Sequence, residues 1–171
     1  MKKMYMPWRH DYVSKTTMAG DREKLKNECI FCHQFAQNED EKYLILKRFK
    51  NCGVMLNYYP YNAGHIMILP YEHKPELCDL SKDIRSELME LINISIEILK
   101  KVLKPHGFNV GINLGIGSGG GLPSHLHIHV LPRWEGDTNF FATIGETKII
   151  CSDFYKVYAE LKKEFDKIKQ I

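Results

Sequence analysis

Apolar residues recur along this chain with two distinct periods, and the switch between them outlines a fold. Alternating or continuous apolar runs predict strands over residues 43–48, 52–57, 65–69, 108–114 and 126–133. Phe49-Lys50-Asn51 separates the first two by a hairpin's length, and the turn formers of residues 58–64 separate the second from the third. A helical period begins after Ser81, a suitable N-cap. Ile84, Leu88, Leu91, Ile92, Leu99, Val102 and Leu103 then form one stripe, ended by Pro105 and Gly107. A final helix aligns Phe154, Val157, Tyr158, Leu161, Phe165 and Ile168, a packing stripe without chemistry. Strands grouped around one long helix predict an α+β domain with an antiparallel sheet of about five strands. No repeat, low-complexity tract or linker divides the 171 residues. The expectation is a single domain over 1–171, with a polar extension over 1–28, a core over 29–140 and a C-terminal extension and helix over 141–171.

The last predicted strand carries the chemistry. His125-Leu126-His127-Ile128-His129 alternates imidazole with aliphatic residues. An extended chain turns successive side chains to opposite faces, so the histidines share one face, roughly 6.6 Å apart. A solvated strand gives no reason to align three rings suited to nucleophilic, acid–base or metal chemistry near neutral pH. Directly before them, Asn113 to Gly121 holds five glycines, a segment whose backbone N–H groups can approach an anion without a Cβ in the way. Together they suggest cleavage of a phosphate ester or anhydride through a phospho-histidine. His127, flanked by the other two, is the natural nucleophile. His129 can donate to a phosphate oxygen where charge develops. His65, after Ala63-Gly64, can approach the same face or serve as a structural strand residue.

Metal chemistry is the competing reading, since His-x-His on a strand can chelate a catalytic zinc. Cys29-Ile30-Phe31-Cys32 supplies a C-x-x-C pair suited to tetrahedral zinc, with two further ligands to come from elsewhere. A redox role for the pair is the weaker alternative, because neither a preceding strand nor a following helix is predicted. Five cysteines in a chain expected to be cytoplasmic argue against a disulfide framework. Cys52, Cys78 and Cys151 read as small buried hydrophobes, and His10 and His33 as exposed.

Composition narrows the partners. Hydrophobic content of 44% and charged content of 26% suit an ordinary soluble domain. A net charge of +3 fits a small polyanionic substrate and falls short of a duplex nucleic-acid surface. No apolar run is long enough to span a bilayer, and the amino end lacks the pattern of a secretory signal, so no membrane is expected.

With these pieces assembled, the chain resembles the histidine triad (HIT) superfamily of nucleotidyl hydrolases and transferases. The resemblance rests on the motif at 125–131 and the Gly64-His65 strand. Arg133-Trp134-Glu135-Gly136-Asp137-Thr138-Asn139-Phe140, Pro7-Trp8-Arg9 and Asn57-Tyr58-Tyr59-Pro60-Tyr61-Asn62 look like one branch, the bacterial diadenosine tetraphosphate phosphorylases. The resemblance implies a HIT-like fold and a covalent adenylyl-histidine at His127, with the ring oriented by the His125 carbonyl. It implies phosphate contact by His129, support from His65, nucleotide contact by Asn57, and a phosphate loop including Asn113, Gly120 and Gly121. Trp134 is implied to wall the leaving-nucleotide side. It also implies a structural zinc on Cys29, Cys32, His73 and His125, no catalytic metal, and a homodimer or tetramer. Purine nucleotides or dinucleoside polyphosphates, with inorganic phosphate, are the implied partners. Gly121 and Leu122 stand where many hydrolases of the superfamily carry Gln and a hydroxyl residue, which agrees with the phosphorylase-like branch. A dinucleotide or phosphoramidate hydrolase and a nucleotide-binding sensor remain the alternatives.

Overall fold

The computed structural model describes residues 28–119, 121–138, 144, 148–150 and 152–171. Five strands form one antiparallel sheet in the order β1-β2-β3-β5-β4, where β1 is Ile45–Arg48, β2 Cys52–Leu56, β3 Ile66–Pro70, β4 Gly107–Ile112 and β5 Ile128–Arg133. This is the expected α+β architecture. The long helix α2, Lys82–Leu103, follows α1 (Ile30–Ala36) in the chain, and α3, Phe154–Phe165, comes last.

Apolar patterning explains the layers. Ile84, Leu88, Leu91, Ile92 and Leu99 of α2 are buried, as the stripe predicts, against β2, β3 and β5. Val157, Tyr158, Leu161 and Phe165 pack α3 against α2 and β1. Ser81 caps α2, its Oγ accepting the Ile84 N–H at 3.3 Å. The helix ends on Lys104 in the left-handed conformation (φ 49°), so a lysine takes the place that glycine usually fills.

The strand ends differ from expectation for visible reasons. β1 begins at Ile45, because Tyr43 and Leu44 complete a turn whose N–H groups bond to Glu39 and Glu41, with Leu44 at φ 60°. β5 begins at Ile128, because the Leu126 N–H bonds to the Lys74 carbonyl instead of a neighbouring strand. Glu87 is a feature the helical period hides. It falls beside the stripe, is buried, and accepts the N–H groups of Asn51 (2.9 Å) and Cys52 (3.0 Å) and the Asn51 amide (2.6 Å). This carboxylate ties the β1–β2 turn to α2. No helix of the described residues is long and apolar enough to cross a membrane.

Candidate functional site

Leu126, Ile128 and Val130 anchor one side of the histidine run in the core, while His125 and His127, both buried, and the half-buried His129 take the alternate positions. The register then sets His129 between Met67 of β3 and Gly111 of β4. From these positions the rings separate into two settings. His125 turns toward the cysteines; His127 and His129 line a cavity.

Fixed backbone groups dictate the ring tautomers, because a carbonyl can only accept and an N–H only donate. His125 Nε2–H donates to the Pro70 carbonyl at 2.9 Å, leaving Nδ1 as a lone pair. His127 Nδ1–H donates to the His125 carbonyl at 2.8 Å, leaving Nε2 as a lone pair. The Tyr61 N–H donates to His65 Nδ1 at 3.1 Å, and the Asn57 amide lies 3.3 Å from the same atom. His65 therefore carries its proton on Nε2 and donates it to His129 Nδ1 at 2.9 Å. The neutral His129 ring must then hold its proton on Nε2, a buried atom without a partner among the described residues. Burial, with smaller contributions from the charges of neighbouring histidines, keeps these rings neutral: His65 is pushed down to about 3 and His129 to about 4. The His127 and His129 ring centroids lie 4.9 Å apart, so a bare nitrogen and a buried N–H belong to neighbouring rings.

The cavity beside them measures about 210 Å³. Ile30, Phe31, Met55, Tyr58, Met67 and Leu122 give it apolar walls. Gln34, Asn57, Tyr59, Tyr61, Asn113 and Gly121 also border it, with His127 and His129. Asn57, Asn113, Gly121, His127 and His129 thus border one cavity. His65 sits immediately behind, and Gly120 lies outside the described residues. Trp134 is half-buried near Asp137 and is not among the cavity-lining residues. In the glycine segment, Gly115 (φ 72°) and Gly119 (φ 80°) adopt left-handed conformations around a short 3-10 turn.

A helix begins between the two cysteines, a correction to the expectation that no helix follows the pair: Cys29, with an extended backbone, is the N-cap of α1, and Cys32 lies within it. Cys29 Sγ approaches His125 Nδ1 at 3.2 Å, and Cys32 Sγ approaches His73 Nδ1 at 3.4 Å and His125 Nδ1 at 3.5 Å. The two Nδ1 atoms are 3.3 Å apart, and the four donor atoms all lie within 4.8 Å of one another. This quartet can hold a metal ion. Burial and then Cys29 push the Cys32 thiol up to about 11, so a bound cation must displace its proton. Two other side chains depart from expectation. Cys78 is exposed rather than buried, in a short turn where its thiol faces Glu76, and His33 is half-buried edge-on to Tyr43. Cys52 is buried as expected; Cys151 and His10 lie outside the described residues.

Several residues shape the site in ways that the sequence does not show. Phe31, between the two cysteines, packs on His125 (5.6 Å between centroids) and His127 (5.3 Å). Arg48 holds the other end of α1, donating to the carbonyls of Phe35 (2.7 Å) and Gln37 (2.6 Å). Asp137 accepts a two-pronged Arg133 guanidinium (2.7 and 2.8 Å) and the Asn62 amide (2.8 Å), bracing the loop that carries Tyr59 and Tyr61. Arg133 holds the Asp137 carboxyl far below the ordinary carboxylate range.

A five-stranded antiparallel sheet with His127 and His129 lining a cavity that Asn113 and Gly121 also border defines a class of protein, and comparison with known proteins bears this out. Residues 38–136 match the HIT domain, and the chain belongs to that family. It is 40% identical over 150 residues to the AP-4-A phosphorylase of Mycobacterium tuberculosis, covering 88% of this chain and 77% of that protein. A 93-residue stretch is 28% identical to the asymmetrical bis(5'-nucleosyl)-tetraphosphatase of Schizosaccharomyces pombe, covering 54% of this chain and 50% of that protein. The fold is shared with a zinc-bound histidine triad family protein from Mycobacterium smegmatis (TM-score 0.67, 20% identity, 82% of this chain and 94% of that one).

Proposed function

We propose that the protein is a nucleotidyl transferase that cleaves diadenosine tetraphosphate by phosphorolysis through a covalent adenylyl-histidine. The observation that carries this reading is the His127 tautomer: Nδ1–H is committed to the His125 carbonyl, so Nε2 keeps its lone pair beside the cavity. Nε2 attacks the α-phosphorus, a P–N bond forms, and the bond from that phosphorus to the bridging oxygen breaks to release ATP. The His125 carbonyl stabilises the positive charge that develops on the ring. His129 Nε2–H donates to a non-bridging oxygen, and His65 holds His129 in the donating tautomer. Asn57, Asn113 and the glycine segment with Gly120 and Gly121 position the nucleotide. An oxygen of inorganic phosphate then attacks the same phosphorus, the P–N bond breaks, and ADP leaves. The M. tuberculosis relative's name supports phosphate as the acceptor.

In this reading Cys29, Cys32, His73 and His125 hold a structural zinc. Zn–S bonds of about 2.3 Å and Zn–N bonds of about 2.0–2.1 Å set tetrahedral S···N edges near about 3.5 Å and an N···N edge near about 3.4 Å. Three S···N distances of 3.2–3.5 Å and the N···N distance of 3.3 Å lie close to them, and all four donor atoms lie within 4.8 Å of one another. The Pro70 carbonyl on His125 Nε2 is the outer partner that such a ligand needs. Bound zinc ties α1 to the histidine run and takes no part in the chemistry. The chain acts as a single cytoplasmic domain and pairs as a homodimer through α2 and the edge strand β4, where Met89 and Val110 are exposed.

Incubation of the pure protein with diadenosine tetraphosphate, with and without inorganic phosphate, tests the reading. ATP and ADP formed only with phosphate are expected. Phosphate-independent release of AMP replaces phosphorolysis with hydrolysis, the activity named for the S. pombe relative. Binding without any turnover leaves a sensor.

A further inference from the structure

We propose that Tyr59 and Tyr61 form a stacking subsite for the second base of a dinucleoside polyphosphate, the base that departs with the leaving polyphosphate. The proposal rests on the nucleotidyl-transfer reading above.

Size frames the problem. The cavity holds about 210 Å³, below the roughly 300–1,000 Å³ of sites that engulf a drug-sized ligand. It is too small to engulf a whole dinucleoside polyphosphate. The buried apolar wall of Phe31, Met55 and Met67 suits the first base, and His127 at the cavity edge marks where its α-phosphorus must sit. A second nucleoside, several phosphates further on, has to lie outside the cavity and across its rim.

Two half-exposed aromatic rings border the cavity: Tyr59 is 50% and Tyr61 56% exposed. Their backbone is held in place before any ligand arrives. The Tyr59 N–H donates to Asn57 Oδ1 at 2.9 Å, and the Tyr61 N–H to His65 Nδ1 at 3.1 Å. Pro60 between them has a fixed φ. The adjoining Asn62 amide donates to the Pro132 carbonyl (2.9 Å) and to Asp137 (2.8 Å). The Tyr61 ring packs on His65 (4.8 Å between centroids) and lies at 32° to His129 (6.0 Å), yet Tyr61 stays 56% exposed. Tyr59 is steadied edge-on by Tyr58 at 5.2 Å. Rings fixed in advance lose little freedom when a base stacks on them. Stacking accepts any base, because each offers a π-face. None of the described cavity-lining residues is a lysine or arginine, so the rim aromatics are the evident contact for the far end of the substrate.

The test compares diadenosine tetraphosphate with adenosine 5'-tetraphosphate, which carries the same polyphosphate but no second nucleoside. Single-turnover formation of adenylyl-enzyme gives kcat/KM for each, and the ratio is the readout, because general damage to the site lowers both terms together. In the wild type the ratio is expected to favour the dinucleotide about tenfold or more. In Tyr59→Ala and Tyr61→Ala it should fall toward one, through KM, and Tyr59→Phe and Tyr61→Phe should restore it. A wild-type ratio near one, or an alanine variant that keeps the wild-type ratio, overturns the subsite and leaves nucleotidyl transfer standing. Failure of the wild type to form adenylyl-enzyme from either compound overturns the functional reading, and the subsite falls with it.

Discussion

The cysteine–histidine quartet and the cavity face draw on one short run of histidines and use one device, a ring proton given to a backbone carbonyl. His125 gives its Nε2–H to Pro70 and frees Nδ1; His127 gives its Nδ1–H to His125 and frees Nε2. What each lone pair meets sets them apart. Around His125 Nδ1, two thiols and a second imidazole close a set that one ion can satisfy. Around His127 lies a cavity bordered by Asn57, Asn113, Gly121 and His129. Identical side chains two positions apart are thus given different settings by tautomer and surroundings. The two settings meet in His125, whose ring belongs to the quartet and whose carbonyl accepts the His127 Nδ1–H. They meet again in Phe31, which packs on both rings.

The largest expected effect separates the two. His127→Ala should lower adenylyl transfer by at least about 10⁴-fold, as loss of a covalent nucleophile does. Metal content and Tm should stay near wild type. Labelled-nucleotide trapping and metal analysis of the same sample measure both, and a variant that loses metal along with activity would show the settings to be one unit. A smaller effect comes from the opposite end. Cys29→Ser with Cys32→Ser should abolish metal binding and lower Tm by about 10 °C, the equivalent of about 3–4 kcal/mol in a chain this size. Activity should drop about 10–100-fold, because α1 supplies Phe31 and Ile30 to the cavity wall. Full activity after complete metal loss would make the quartet irrelevant to the nucleophile.

Both settings could be named from the sequence, but not how they are joined. Alternation in 125–131 and the helical stripe after Ser81 are one-dimensional signals, and the residues they single out lie where the period requires. The division of His125 from His127 and His129 leaves no trace in that alternation, because all three share a side of the chain. It entered only through resemblance, and the cause lies in distant partners, Pro70 and the cysteines. Helix α1 spans two turns, too short for a periodic pattern to stand out. Tyr58 to Asn62 reads as a string of turn formers; its aromatic rim becomes visible only once Asp137 and His65, remote in sequence, are seen to brace it. Glu87 and Cys78 mislead for the same reason: burial of a polar or small residue depends on what the fold sets against it.

Acid provides the finest separation of the two settings. His65 is wholly buried, and burial, followed by the charges of His129 and His127, holds its pKa at about 3 against 6.5 for an ordinary histidine. As pH falls below 6.5 the unfolded chain gains this proton and the folded chain does not. Stability from His65 is therefore complete above pH 6.5 and drains away as pH falls toward 3. Between pH 7 and pH 5 the loss amounts to about 2 kcal/mol. His129, held at about 4, acts with the same sign. The quartet also weakens in acid, but for a different reason, since protons compete with the metal for its ligands. Urea unfolding in the metal-free Cys29→Ser, Cys32→Ser background isolates the cavity side. There the midpoint should still fall between pH 7 and pH 5, and His65→Gln should remove about 2 kcal/mol of that slope. A curve already flat in the double-serine protein would mean that His65 takes up its proton in the folded state. The chain of donors from Tyr61 through His65 to His129 would then not exist in the form described.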